Sequence, residues 1–258
     1  MNLKKLLLTQ NECYRAGRTI TPKGIMVHST GAENPTLRRY VGPDDGLLGH
    51  NPNGNHWNQA RPEGKQVCVH AFIGLLKDGA VATYQTLPWH WRGWHCGGSA
   101  NNTHISFEIC EGKLDDGAYF AKVYREAVEF TAYLCKLYRL DPLADGVVIC
   151  HSEGAKRGIA SGHADVMHWF PKHGKSMDTF RRDVAAEMKG EEEMSYEQFK
   201  EYMNRYETEQ ASRPPMGWGA EGWEKATQKN IVDGGRPMAP MTRLEYAVSE
   251  LRREGNRA

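Results

Sequence analysis

Five apolar runs of strand length lie within the first 150 residues, each bounded by polar, glycine or proline positions. Such short runs, apolar throughout or at alternate positions, are typical of β-strands. A Lys-Asp-Gly turn at residues 77–79 separates the second run from the third, which predicts a β-hairpin. The predicted strands cover residues 24–29, 66–76, 80–86, 104–110 and 146–150.

The spacing of apolar residues changes after Tyr119, where they begin to recur at three- and four-residue steps. This period indicates an amphipathic helix over residues 119–140, which Pro142 ends. A second helix is predicted over residues 176–188. Strands followed by a long helix and a further strand indicate an α/β fold with a mixed central β-sheet flanked by helices. The recurring apolar positions of the long helix are Phe120, Val123, Ala127, Phe130, Leu134 and Leu137.

The composition changes near Lys189, where an acidic, helix-forming segment begins that ends in two prolines. Residues 191–258 carry 10 Lys and Arg against 13 Asp and Glu, a net charge of −3, whereas the first 190 residues carry 23 against 19, a net charge of +4. Such a change of sign supports a boundary. The sequence therefore predicts a main domain over residues 1–188, a helical linker over 189–213 and a small helical segment over 214–258.

The C-terminal segment has the pattern of a helix, an Asp-Gly-Gly loop and a second helix. Thr242 is the predicted N-cap of that last helix, with Glu245 at the spacing of a capping box. About 45 residues bury little core by themselves. We therefore expect this segment to pack on another structure or to self-associate with a second copy.

The overall charge and hydropathy exclude several classes of function. The net charge is +1 over 258 residues, which argues against a nucleic-acid partner. The Leu6–Leu8 run near the N-terminus is too short for a signal peptide, and no segment approaches the roughly 20 apolar residues that cross a bilayer. Synthesis in the cytoplasm without membrane insertion is the expectation.

Two histidines stand at the ends of predicted strands, where α/β sheets place their sites. His28 closes the first strand and His151 follows the last. A catalytic zinc ion needs three protein ligands and leaves a fourth position for water. His163, Asp165 and His168 are each candidates for the third ligand. A polar loop without metal is the alternative, and the sequence lacks the HExxH motif of thermolysin-like peptidases.

Glu108 belongs to a polar face on a predicted strand. Alternation places it beside His104 and Ser106, opposite three apolar side chains. A polar face on a central strand is costly unless it lines a site. Pairing of Glu108 with a basic neighbour is the alternative, and His70 is either a satisfied core histidine or a partner of the site.

Five segments in order make the sequence resemble the type 2 N-acetylmuramoyl-L-alanine amidases, a family related to peptidoglycan recognition proteins. The resemblance covers roughly residues 20 to 180. It rests on "GIMVHSTG", "VCVHAFIGLLKDGAVATYQTLPWHWRGWHCG", "NNTHISFEICEG", "CHSEG" and "HADVMHW".

The resemblance implies roles for particular residues. It makes His28, His151 and Asp165 the ligands of a zinc ion, and Glu108 the general base. His163 occupies the place where many members carry a lysine that stabilises the oxyanion, so this donor departs from the family pattern. The segment Trp94-His95-Cys96-Gly97 is similar to a groove-lining motif of the family, which implies substrate contacts for Trp94 and His95, and Trp91 is a further candidate for such contacts.

The implied activity is zinc-dependent hydrolysis of the amide between the lactyl group of N-acetylmuramic acid and L-alanine in peptidoglycan. The expected role is that of a phage or prophage endolysin, which acts on the cell wall after release from the cytoplasm. A peptidoglycan-binding protein without activity and a cytoplasmic wall-recycling amidase are the alternatives. The C-terminal segment resembles a single S-layer-homology repeat, which implies wall binding. A helical hairpin for self-association is the other interpretation.

Overall fold

A computed structural model gives the structure of residues 1–190, 196–215, 217–232, 234–235 and 243–255. The chain divides into two compact units, Met1–Glu191 and Glu192–Ala258. Among the described residues, no helix combines the length and the apolar character that spanning a membrane requires.

The first unit contains a six-stranded mixed sheet in the order β1-β4-β3-β5-β2-β6. β3 and β4 form the predicted hairpin and pair antiparallel, and the other described pairs are parallel. The strands are β1 Leu3–Lys5, β2 Gly24–Ser29, β3 Ala71–Leu75, β4 Val81–Gln85, β5 His104–Ile109 and β6 Val148–Cys150. The predicted mixed α/β fold is confirmed.

Among the described residues, four α-helices belong to the first unit and three to the second. In the first unit they are α1 Glu12–Ala16, α2 Gly117–Tyr138, α3 His151–Lys156 and α4 Met177–Gly190. In the second unit they are α5 Tyr196–Ser212, α6 Gly217–Gln228 and α7 Arg243–Gly255. The predicted N-cap Thr242 and the side chain of its capping-box partner Glu245 lie outside the described residues.

Helix α2 covers one face of the sheet and buries the main core. Asp116 caps the helix because its carboxylate accepts a hydrogen bond from the backbone N–H of Tyr119 at 2.9 Å. The predicted apolar positions of α2 are buried with one exception, Leu137, which is 49% exposed. Leu137 lies at the edge of the apolar stripe in the last turn of the helix, where the side chain remains accessible to solvent.

The two faces of the central strands have different environments. Ile25 and Val27 of β2 belong to the cluster packed with α2, whereas Met26 packs with Cys96 and Ile149 in a smaller cluster on the opposite face. Side chains alternate between the faces of a strand. His28 therefore shares the face of Met26, away from α2, which is where the polar residues of β5 also lie.

Candidate metal site

The pairing of β2 with β6 brings the two strand-end histidines together. Val27 is paired with Cys150, so His28 and His151 follow at neighbouring positions on adjacent parallel strands. Their rings meet edge to face with centroids 4.9 Å apart, and both side chains are buried. The predicted convergence of these two histidines at one edge of the sheet is present in the structure.

Asp165 completes a cluster with these histidines. Its Oδ2 lies 2.8 Å from Nδ1 of His28 and 2.8 Å from Nδ1 of His151. One potential ligand atom from each of the three residues lies within 4.8 Å of the others. Asp165 has a positive φ of 21°, which is unusual for a residue other than glycine and is found more often at functional sites than elsewhere.

The ionisation of the cluster suits a divalent cation. Burial lowers the pKa of His28, which favours the neutral imidazole that a metal requires. Burial opposes ionisation of Asp165, but hydrogen bonds from His151 and His28 outweigh it and lower the pKa of Asp165. A cation bound by these residues replaces the protons at the two Nδ1 atoms.

The second ring nitrogen of each histidine also has a polar neighbour. Nε2 of His28 lies 3.0 Å from Nδ1 of His95, and Nε2 of His151 lies 3.2 Å from Oγ of Ser161. Metal-binding histidines commonly use their second nitrogen in this way, which fixes the orientation of the ring. Sequence reasoning did not find Ser161, because only the fold brings its loop to His151.

Glu108 stands beside the cluster on the neighbouring strand. The register of β5 against β2 pairs Glu108 with His28, so both side chains emerge on the same face. Burial, and then the nearby carboxylates of Asp165 and Glu111, raise the pKa of Glu108 well above its ordinary value. Its Oε2 is buried and has no hydrogen-bond partner among the residues that the structure describes. Within that part of the chain the ion pair with a basic side chain, which was the alternative for Glu108, is therefore not formed at this oxygen.

His163 is exposed at the edge of the cluster. Its ring centroid lies 4.6 Å from that of His151, and its Nδ1 lies 3.2 Å from Oγ of Ser161. His168, the alternative third ligand, instead places Nε2 2.9 Å from a carboxylate oxygen of Glu111. Of the three candidates for that position, Asp165 is the one whose carboxylate meets both strand-end histidines.

The residues expected to contact substrate occupy different surroundings. Trp91 and Trp94 are half-buried against a small cluster of Cys13, Cys68 and Leu87. His95 lies against His28, and its Nε2 is buried with no hydrogen-bond partner in the described part of the chain. Substrate contact by these three residues stays a prediction.

His70 has a hydrogen-bond partner for each ring nitrogen. Its Nδ1 accepts from the backbone N–H of Ser106 at 3.0 Å, and its Nε2 donates to the carbonyl of Trp91 at 2.7 Å. Burial lowers the pKa of His70 to about 4, so the ring is neutral at pH 7. These contacts agree with a satisfied core histidine.

Comparison with known proteins identifies the family and the fold of this chain. Residues 18–171 match the family model of the N-acetylmuramoyl-L-alanine amidases. No curated protein matches the sequence. The Staphylococcus aureus hydrolase AmiA, solved in complex with its ligand, is 22% identical over 72% of this chain and 82% of its own, with a TM-score of 0.51. The catalytic domain of PlyG, solved in solution, is 20% identical over 73% of this chain and 96% of its own, also with a TM-score of 0.51. These likenesses show a shared fold.

Proposed function

The chain belongs to the N-acetylmuramoyl-L-alanine amidases, enzymes that act on peptidoglycan, and on that premise we propose that it works with a zinc ion held by His28, His151 and Asp165. The proposed bond is the amide between the lactyl group of N-acetylmuramic acid and L-alanine. The observation that carries the proposal is the convergence of two imidazoles and one carboxylate beside Glu108, a half-buried residue whose buried Oε2 has no partner among the described residues.

The donor set fits zinc in chemistry and in size. Two imidazoles with one carboxylate are a common catalytic set, and ligand atoms around a tetrahedral zinc ion lie about 3.3 Å apart. The potential ligand atoms of the three residues lie from 2.8 Å to at most 4.8 Å apart, a range that includes this value. Zinc bound in this way supplies Lewis-acid catalysis, since it polarises a carbonyl and lowers the pKa of water.

Glu108 is the proposed general base. A carboxyl group with a raised pKa can take a proton from the attacking water and deliver it to the leaving amine of L-alanine. The position of this half-buried side chain beside the three proposed ligands, and the lack of a partner for its Oε2 among the described residues, support this role.

His163 is the proposed hydrogen-bond donor to the developing oxyanion. Its exposure leaves it accessible to substrate, and its ring lies beside that of the ligand His151. Donors aimed at the charge that develops in the transition state contribute about 10²- to 10³-fold to kcat. A histidine can act here in place of a lysine if one N–H points at the oxyanion.

Product analysis tests the proposed reaction. Incubation with a soluble N-acetylmuramoyl-L-alanyl peptide should give N-acetylmuramic acid and a peptide with a free L-alanine N-terminus, both identified by mass spectrometry. His28→Ala should lower kcat by about 10³-fold or more, because it removes a metal ligand. A wild-type protein that binds the peptide without cleaving it would favour the non-catalytic peptidoglycan-binding alternative, and cleavage by His28→Ala at the wild-type rate would refute the ligand assignment.

We also propose an endolysin role, supported by the presence in the chain of a second, helical unit in addition to the catalytic unit. In this role residues 214–258 bind the cell wall or self-associate. Cells that produce the protein should lyse only once their inner membrane is permeabilised. Lysis that does not depend on permeabilisation would contradict release as the controlling step, and absence of lysis after permeabilisation would favour a wall-recycling enzyme.

A further inference from the structure

Two loops, one around residues 96–100 and the other around residues 159–161, contact each other next to the proposed metal site and fix the position of Ser161. The backbone N–H of Ser161 donates to the carbonyl of Cys96 at 2.8 Å, and the N–H of Ala100 donates to the carbonyl of Ile159 at 3.0 Å. Gly98 permits this approach, because a Cβ at that position would lie 2.3 Å from the carbonyl oxygen of Ile159. Ser161 is therefore held by backbone contacts that do not depend on its side chain.

The hydroxyl of Ser161 contacts three different groups. Its Oγ lies 3.1 Å from the carbonyl oxygen of Cys96, 3.2 Å from Nε2 of His151 and 3.2 Å from Nδ1 of His163. One small side chain thus contacts both a proposed metal ligand and the proposed oxyanion donor.

The valence of the hydroxyl selects one arrangement of protons. A serine hydroxyl donates one hydrogen bond and accepts two, whereas a carbonyl oxygen only accepts. All three contacts are hydrogen bonds when Ser161 donates to Cys96 and accepts from both imidazoles. In the metal-bound state His151 would then carry its proton on Nε2, with Nδ1 as the nitrogen that faces Asp165 and would bind the metal ion.

The same arrangement orients His163. Its Nδ1–H donates to Ser161, so Nε2 is the nitrogen of that ring which Ser161 does not contact. An exposed imidazole without this hydrogen bond samples several side-chain rotamers. That conformational freedom is lost when the ring takes the single orientation that the transition state requires. Anchoring at Nδ1 reduces that loss.

We propose that Ser161 is a positioning residue that fixes the metal ligand His151 and the oxyanion donor His163 in a single arrangement. This inference rests on the proposed function. Ser161 acts through these two histidines and does not touch the reacting atoms.

Zinc affinity tests the contact with His151 without reference to turnover. Ser161→Ala should weaken zinc binding about 10- to 100-fold, the usual effect of removing a hydrogen-bond partner from a metal-binding histidine. Ser161→Thr keeps the hydroxyl and should stay close to wild type, as should Ser99→Ala, which alters an exposed serine of the facing loop. The measurement is competition for zinc against a chromogenic chelator in the full chain. Equal losses in the Ala and Thr variants would overturn the proposal in favour of a packing role.

A double-mutant cycle tests the contact with His163. With zinc saturating, Ser161→Ala should lower kcat on the soluble muramyl peptide and leave KM nearly unchanged. The same change made in a His163→Ala background should have a much smaller effect, because residues that share a contact are not additive. Full additivity would overturn the proposal.

The variant His151→Ala distinguishes failure of this inference from failure of the proposed function. If His151→Ala keeps its zinc and its activity, the proposed function fails. If His151→Ala is inactive while the Ser161 variants behave as wild type, only the role of Ser161 is refuted.

Discussion

At the scale of single residues, the protonation of Glu108 depends on burial and on neighbouring negative charge. Both raise the pKa of its carboxyl group, and the cation proposed beside it would lower that pKa again. A base poised in this way changes its protonation state during the reaction without a large energetic cost. The pairing of Glu108 with His28 across β5 and β2 places this group next to the proposed ligands.

We predict that Glu108→Gln lowers kcat by about 10²- to 10⁴-fold while zinc affinity stays near that of wild type. Glutamine keeps the shape of the side chain but cannot take a proton. Glu33→Gln, an exposed position, serves as the control. Hydrolysis of the soluble muramyl peptide and zinc competition are the measurements, and a Gln variant with wild-type kcat would exclude Glu108 as the base.

His70 links pH to stability through its buried neutral ring. Its pKa of about 4 lies below the value of about 6.5 expected in the unfolded chain. Between these two values the unfolded chain binds a proton that the folded chain does not, so the free energy of unfolding falls as pH decreases from 6.5 to 4. Full titration of such a shift costs on the order of 3 kcal/mol.

Replacement of His70 removes this titrating group. In urea unfolding with chelator present, His70→Gln should lose less stability than wild type between pH 6.5 and pH 4.5, whatever its stability at pH 7. The chelator keeps metal binding from contributing to the comparison. Parallel stability curves for the two proteins across that interval would contradict the account.

Individual residues also show which parts of the proposed site can be predicted from the sequence and which cannot. The positions of His28, His151 and Glu108 were predictable because strand ends and alternation are local patterns. The choice of Asp165 among three candidates came from the family resemblance alone, which also implied the roles of all four residues. The contacts of Ser161 with two imidazoles were not predictable. They require two loops, separated by about 60 residues, to meet through backbone hydrogen bonds that no local pattern encodes.

At the scale of elements, the strongly periodic segments were the most predictable. Helix α2 begins and ends within two residues of its predicted bounds because its apolar face packs on the sheet. The second predicted strand is shorter than its apolar run, because Cys68 leaves the sheet and pairs with Trp94. Strand β1 was missed, since Leu3–Lys5 is a short edge strand with two exposed lysines and little alternation.

The N-terminal cap of α2 gives a prediction for this element. Asp116→Ala should lower the free energy of unfolding by about 1 kcal/mol, because the first turn loses a side-chain acceptor for the N–H of Tyr119. Zinc affinity should not change, since α2 packs on the face of the sheet away from the ligands. Asp115→Ala, an exposed neighbour, is the matched control in urea unfolding. Equal stability of the two variants would contradict the role of the cap.

At the scale of the whole molecule, the proposed site depends on the convergence of two strand ends and one loop within the first unit. The change of charge near residue 190 predicted a boundary, and the structure divides the chain between residues 191 and 192. What the second unit binds stays a prediction, because it rests only on the resemblance implied by the sequence of residues 214–258. The proposed activity therefore depends on the first unit and on the metal ion proposed to bind there.

The most direct test of this account measures zinc and hydrolysis on the same samples of the full chain. Elemental analysis should find one zinc ion per wild-type chain, removal by chelator should abolish release of free L-alanine N-termini from the muramyl peptide, and added zinc should restore it. Asp165→Ala should bind zinc far more weakly and fail to recover activity at a zinc concentration that saturates wild type. Full activity in chelated wild-type protein, or stoichiometric zinc in Asp165→Ala, would contradict the central claim.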